Sequence, residues 1–207
     1  MVKKQHLGRI FQVLTGVLLG LAVVLFVLRS QNRGQGSEAA NYFLPDPIPA
    51  PEFSLVSHQG ERFVSSEFQG TLLAVFFGYT SCPDICPLTL SNLGQAFRDM
   101  GEEGERIQLL LITVDPARDT PQRLRDYLNN FHPSFLGLSG TEEEIREVAN
   151  EFGAFFARTG EGENYTVDHT ARTFIIDSSG EIPLTFPVTA TPQEMARDLT
   201  LLLEEVR

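Results

Sequence analysis

Thr71-Leu72-Leu73-Ala74-Val75-Phe76-Phe77, running straight into Gly78-Tyr79-Thr80-Ser81-Cys82-Pro83-Asp84-Ile85-Cys86-Pro87, is the stretch that decides how this chain is built. Its first seven residues are a continuous apolar run, the pattern of a strand buried on both faces. Directly beyond stand the only two cysteines of the 207-residue chain, with three residues between them. Leu90, Leu93 and Phe97 then recur at helical spacing, so the cysteines occupy a strand-to-helix turn. Proline inside a helix costs about 3 kcal/mol but is tolerated at the first position. This predicts a helix that starts at Pro87, with Cys86 at its N-cap and extended backbone at both pre-proline cysteines. Thiols there meet unpaired N–H groups and the positive end of the helix dipole, which favour thiolate. Such a pair can bind a soft metal, form a disulfide, or do both. A purely structural bridge across so short a loop would add little stability.

Working outward, Ile107 to Val114 (IQLLLITV) is a second buried strand. Thr120 with Pro121 opens a helix striped by Leu124, Tyr127, Leu128 and Phe131. Thr141 with Glu144, and Thr191 with Glu194, are capping boxes that start two more helices. Phe53–Val56 and Arg62–Val64 flank a turn and predict a hairpin. Late in the chain lie a short run at Ala154–Ala157 and then Arg172–Ile176 and Ile182–Phe186, the last two joined by the turn Asp177-Ser178-Ser179-Gly180. Strand–helix alternation with a late hairpin and a final helix predicts an α/β sandwich with a mixed central sheet.

Ile10 to Leu28 carries no charge and is almost wholly apolar. Nineteen residues at about 1.5 Å rise span roughly 28 Å, close to a bilayer's hydrocarbon thickness. Lys3, Lys4 and Arg9 precede it, which puts the N-terminus in the cytoplasm. The rival is a cleaved signal peptide; a small-x-small site exists at Ser37-Glu38-Ala39, but well beyond the run and past Arg29 and Arg33. The expected organisation is an anchor over 1–29, a Gly/Ser-rich then Pro-rich tether over 30–51, and one domain over 52–207. From Gly34 onward the chain has 11 Arg against 27 Asp+Glu, a net of -16, which disfavours nucleic acid as a partner. Beyond the membrane the compartment is oxidising, so the cysteine pair could oxidise there. The N-terminal segment lacks the Arg- and Ser-rich character of a mitochondrial transit peptide, which points to a bacterial inner membrane with the domain in the periplasm.

Gly78 to Pro87 resembles the signature of the SCO/SenC family, thioredoxin-like copper chaperones for cytochrome c oxidase. Val114-Asp115-Pro116-Ala117-Arg118-Asp119-Thr120-Pro121 is similar to the family's turn after the second core strand. Phe131-His132-Pro133 with Gly137-Leu138-Ser139-Gly140, and Tyr165-Thr166-Val167-Asp168-His169-Thr170, resemble two further family blocks, and the N-terminal anchor is the family's arrangement. The resemblance implies a thioredoxin-like fold and one copper ion held by Cys82, Cys86 and His169. Two thiolates and an imidazole suit Cu(I), and Cu(II) as well; zinc would also accept these ligands. Without the resemblance His169 reads as an ordinary loop histidine. His58 and His132 read as structural. Asp84 and Asp168 flank the ligands, where they could tune them or serve as turn and cap residues. Asp115, Arg118 and Asp119 read as a salt-bridged turn that feeds the Thr120 cap.

The function implied is a membrane-anchored metallochaperone that delivers copper to the dinuclear copper site of oxidase subunit II. Its other partners would be a copper donor protein and a thiol reductant. A thiol–disulfide oxidoreductase using Cys82 and Cys86 as its redox pair is the alternative, and a copper or redox sensor a third. Fold alone does not choose among them.

Overall fold

The computed structural model describes residues 42–68, 71–162 and 165–205. In chain order the elements are β1 (Phe43–Pro49), β2 (Ser54–Ser57), β3 (Arg62–Val64), β4 (Leu72–Gly78), α1 (Ile85–Met100), β5 (Ile107–Thr113), α2 (Pro121–Leu128), β6 (Leu136–Ser139), α3 (Glu142–Glu151), β7 (Phe156–Thr159), β8 (Thr166–His169), β9 (Arg172–Ile176), β10 (Glu181–Pro187) and α4 (Pro192–Glu205). Eight strands form one sheet in the order β1-β10-β9-β4-β5-β6-β2-β3. β4, β5 and β6 run parallel, and the strands flanking them pair antiparallel, so the sheet is mixed as expected. β4 and β5 pair residue for residue from Leu72↔Ile107 to Gly78↔Thr113. Every residue of β4 is buried, which explains its unbroken apolar pattern.

Successive side chains of a strand point to opposite faces. On one face Phe77 and Phe174 meet Phe152, just past α3, with ring centroids 5.6 and 5.3 Å away. Phe76 projects from the other face and meets His169 edge to face at 5.9 Å. The three helix starts behave as their capping residues dictate. Thr120 accepts the Arg123 N–H, and the Thr141–Glu144 and Thr191–Glu194 boxes are both reciprocal.

Two features differ from the sequence-based expectation. Residues 43–49, placed in the tether, form β1, an edge strand paired with β10. Pro45, Pro47 and Pro49 suit an edge because proline has no N–H to donate to a second neighbour. Tyr42, just before β1, donates its N–H to Asp198 and its hydroxyl to Glu194, both on α4. The short run near Ala154 becomes β7, which pairs with β8 in a separate two-stranded sheet. The apolar stretch at 10–28 lies outside the described residues, and among those described no helix is long and apolar enough to cross a membrane.

Candidate metal centre

Parallel strands direct their carboxyl ends to one edge of the sheet, and the loops gathered there are where such folds place ligands. β4 ends at Gly78, and residues 79–84 carry the chain across that edge into α1. The helix starts at Ile85 with Asp84 at its N-cap, so Cys86 lies within the first turn and Pro87 at the third helical position. This is two residues earlier than the proline placement predicted. The first N–H groups of a helix have no intrahelical partner, so proline at the third position forfeits no bond. Asp84 makes no side-chain cap bond.

The two sulfurs lie close together at this turn. Cys86 N–H donates to Cys82 Sγ at 3.4 Å, and the two sulfurs are free thiols, not bridged. Cys86 is fully buried and Cys82 half-buried. Gly78 makes room for the buried thiol: a Cβ there would lie 3.0 Å from Cys86 Sγ and 2.9 Å from Phe76. From the opposite side comes His169, the last residue of β8. Its Nε2 is 3.4 Å from Cys86 Sγ, across 83 residues of sequence. Its Nδ1 lies 3.2 Å from the Thr170 carbonyl oxygen. A carbonyl only accepts, so Nδ1 is the donor in that contact, and Nε2 is left to face the sulfurs. The candidate ligand atoms of Cys82, Cys86 and His169 all lie within 4.8 Å of one another.

The two thiols share their protons unequally. Cys82 is lowered to about 3, chiefly because it accepts the Cys86 S–H, helped by His169 and the N–H groups of Asp84 and Cys86 and opposed by partial burial. Cys86 is pushed up, first by donating that bond and then by burial. Metal-free, the pair is biased toward thiolate at the half-exposed Cys82 and toward thiol at the buried Cys86. A cavity of about 340 Å³ opens beside Cys82, lined among others by Tyr79, Asp84, Asp168 and His169. Two sulfurs, one of them favoured as thiolate, and an oriented imidazole are a donor set of the kind soft metals take.

Neighbouring groups hold this arrangement. The Tyr79 hydroxyl accepts the Val167 N–H at 3.1 Å, tying β8 to the end of β4. The expected salt-bridged turn is present, with Arg118 paired to the buried Asp115 carboxylate. Asp119 does more than a local turn requires. Buried and raised in pKa by that burial, it accepts the Thr80 N–H and hydroxyl and the Thr113 hydroxyl. Arg123 also reaches Thr80 and Ser81. Sequence reasoning singled out this motif but kept its role local, because the spacing of Asp119 says nothing of a partner 39 residues away. Asp168, by contrast, accepts the neighbouring hydroxyl of Thr159 on β7. His58 is structural as expected: buried, lowered in pKa by desolvation, with Nδ1 accepting the Gly137 N–H. His132 bonds Ser134 within its own turn. The Tyr127 hydroxyl is buried without a hydrogen-bond partner, its pKa raised by desolvation and then by the two cysteines.

Fold and site together define a thioredoxin-like α/β domain in which a Cys-x3-Cys pair and a distant histidine form a donor set that could hold one metal ion. The SCO1/SenC family model matches residues 45–204. An SCO2-like protein of Rickettsia conorii is 39% identical over 147 residues, which cover 70% of this chain and 72% of that one. The chain belongs to the SCO1/SenC family. Among solved structures, apo Sco1 of Thermus thermophilus superposes with a TM-score of 0.72 at 38% identity, covering 81% of this chain and all of the other. Bradyrhizobium japonicum ScoI, solved with copper bound, gives 0.69 at 34% identity, covering 75% of this chain and 99% of the other. Copper is thus an ion that this donor set can hold, one per site.

Proposed function

We propose that this protein is a copper chaperone that takes one copper ion on Cys82, Cys86 and His169 and passes it to the dinuclear copper site of cytochrome c oxidase subunit II. The observation that carries this reading is the approach of His169 Nε2 to Cys86 Sγ, which closes a three-donor set at an open cavity. Here Cys82 stays half-exposed, where an incoming thiol can displace it and start ligand exchange. Residues 1–29 are read as the anchor, with the domain on the periplasmic side of a bacterial inner membrane. A copper donor protein and a thiol reductant complete the set of partners.

One observation favours a second reading. A half-exposed Cys82 beside a buried Cys86, whose N–H donates to the Cys82 sulfur, is also the arrangement of attacking and resolving sulfurs. Cys82 would attack a target disulfide, giving a mixed disulfide and one target thiolate. Cys86, losing its proton, would then release the second target thiol and leave a Cys82–Cys86 disulfide for the reductant to reopen. The deciding comparison uses His169→Ala, which disables the chaperone and spares thiol exchange. Full-length protein loaded with Cu(I) is expected to metallate reduced apo subunit II in the presence of a competing Cu(I) chelator, and the variant to fail. If His169→Ala supports full oxidase assembly in cells while copper-free wild type reduces the target's disulfide with turnover, the oxidoreductase reading replaces the chaperone.

A further inference from the structure

The two halves of the metal centre come from distant parts of the chain, and one segment touches both. Residues 115–123 follow β5 and lead into α2. One arm reaches the cysteine loop. Asp119, 1% exposed, takes the Thr80 hydroxyl at 2.6 Å and the Thr80 N–H at 3.0 Å, and is held in turn by the Thr113 hydroxyl at 2.6 Å. Arg123 donates to the same Thr80 hydroxyl at 2.8 Å and to the Ser81 hydroxyl at 2.9 Å. Both contacts end on the two residues immediately before Cys82.

The other arm reaches the hairpin that carries His169. Tyr165, just before β8, donates its hydroxyl to Asp115, whose carboxylate is also paired with Arg118. Arg118 donates back to the Tyr165 carbonyl at 3.0 Å and lies over the Tyr165 ring at 3.7 Å. Arg158, on β7, lies over that ring at 3.5 Å. A buried carboxylate that takes three hydrogen bonds is costly to disturb, and networks of this kind hold one geometry. Neither arm reaches a ligand atom.

We infer that residues 115–123 act as a two-armed clamp that sets the spacing of the metal centre. Asp119 and Arg123 position Cys82 through Thr80 and Ser81, and the Asp115–Arg118 pair positions His169 through Tyr165. This rests on Cys82, Cys86 and His169 being the ligands proposed above, and gives positioning roles to residues that touch none of them. Ligand donors held apart at a fixed spacing keep the site ready for the ion without rearrangement.

Two conservative variants of the full chain test the clamp. Thr80→Val removes the hydroxyl that Asp119 and Arg123 share, at nearly constant volume, and Thr80→Ser restores it. Tyr165→Phe removes only the bond to Asp115. Two readouts are taken without metal: the alkylation rate of Cys82, and the NMR shifts of the His169 ring protons, which lie between the Phe76 and Tyr79 rings. The third is Cu(I) affinity in competition with a chelator. Thr80→Val is expected to change the alkylation rate, with Thr80→Ser matching wild type, and Tyr165→Phe to move the His169 shifts. Each of the two should weaken Cu(I) binding by about tenfold, the lower end of what loss of an outer hydrogen bond costs a metal site. A general loss of stability would move both metal-free readouts together in each variant, and that outcome, like wild-type values in both, overturns the clamp. Should Thr80→Val fail to fold, Tyr165→Phe alone decides: unchanged ring shifts and affinity refute the inference. Wild type that binds no copper would instead refute the proposed ligand set, and the metal-free readouts would still judge the clamp.

Discussion

The cysteine half and the histidine half of the candidate metal centre are held by different physics. Cys86 is fully buried at the start of a 16-residue helix, wedged against Gly78, the last residue of a strand with no exposed position. His169 ends a four-residue strand of a two-stranded sheet, fastened by side-chain bonds from Tyr79 and Tyr165. Core packing fixes Cys86 tightly, since interiors are close-packed and resist even small displacements. A few hydrogen bonds of about 1 kcal/mol each fix the histidine half. The difference teaches that Cys86 is built into the fold, and His169 is brought up to it.

The sharpest separation is in acid–base behaviour. In metal-free protein the alkylation rate of Cys82 is expected to stay level between about pH 5 and pH 8, where an ordinary thiol near 8.5 would accelerate roughly a thousandfold. The sign follows from a pKa lowered to about 3, so the thiolate persists down to strongly acid pH. Cys86, raised and buried, should remain unmodified until the protein unfolds. A Cys82 rate that climbs tenfold per pH unit would show that the shared proton does not rest on Cys86.

Next in size is loss of a sulfur. Cys82→Ser or Cys86→Ser should weaken Cu(I) binding by on the order of a hundredfold or more, beyond the range for outer-sphere partners, because a hydroxyl is a much harder donor. Competition with a Cu(I) chelator measures it. Tight, stoichiometric copper in the double serine variant would refute the site.

A smaller effect is expected on the histidine side. His169→Ala should leave Cu(I) weakened but bound, since two thiolates still hold it, and should damage Cu(II) binding more, because Cu(II) favours nitrogen donors. Titration of both oxidation states followed by absorption spectra would show this. Equal loss in both states would mean that the imidazole matters as much to the cuprous ion as the sulfurs do, and would erase the asymmetry.

The smallest effect probes the packing that holds Cys86. Gly78→Ala places a methyl 2.9 Å from Phe76 and 3.0 Å from Cys86 Sγ, overpacking that should cost about 1–3 kcal/mol in chemical denaturation. Copper binding should weaken with it, because the sulfur has nowhere to retreat. An unchanged midpoint would mean that the floor of the site is softer than its burial implies.

Much of the molecule was legible beforehand because its signals are local. The buried strands β4 and β5 announced themselves as apolar runs, and each capping box placed a helix start within a residue. Misreadings arose where local rules left a choice open. Pro87 fits the third position of a helix as well as the first, so periodicity and proline chemistry could not separate the two. The proline-rich run at 43–49 reads as extended whether or not a neighbour pairs with it. Asp119 looked like a turn residue because its destination, Thr80, lies on another strand's loop.

By itself the sequence determined the strand–thiol–helix unit, the order of the α/β elements and the soft character of the cysteine donors, since these depend on side-chain period, caps and residue type within a dozen positions. The family resemblance singled out His169 over His58 and His132, and the tertiary structure supplied the contact itself, bringing its ring to the sulfurs across 83 residues. It also decided that β1 completes the sheet and that Asp119 and Tyr165 brace the two halves from a single turn. Those outcomes depend on contacts between residues from 39 to more than 130 positions apart, which no local pattern records, because they are set by which faces must be buried together when the whole chain packs.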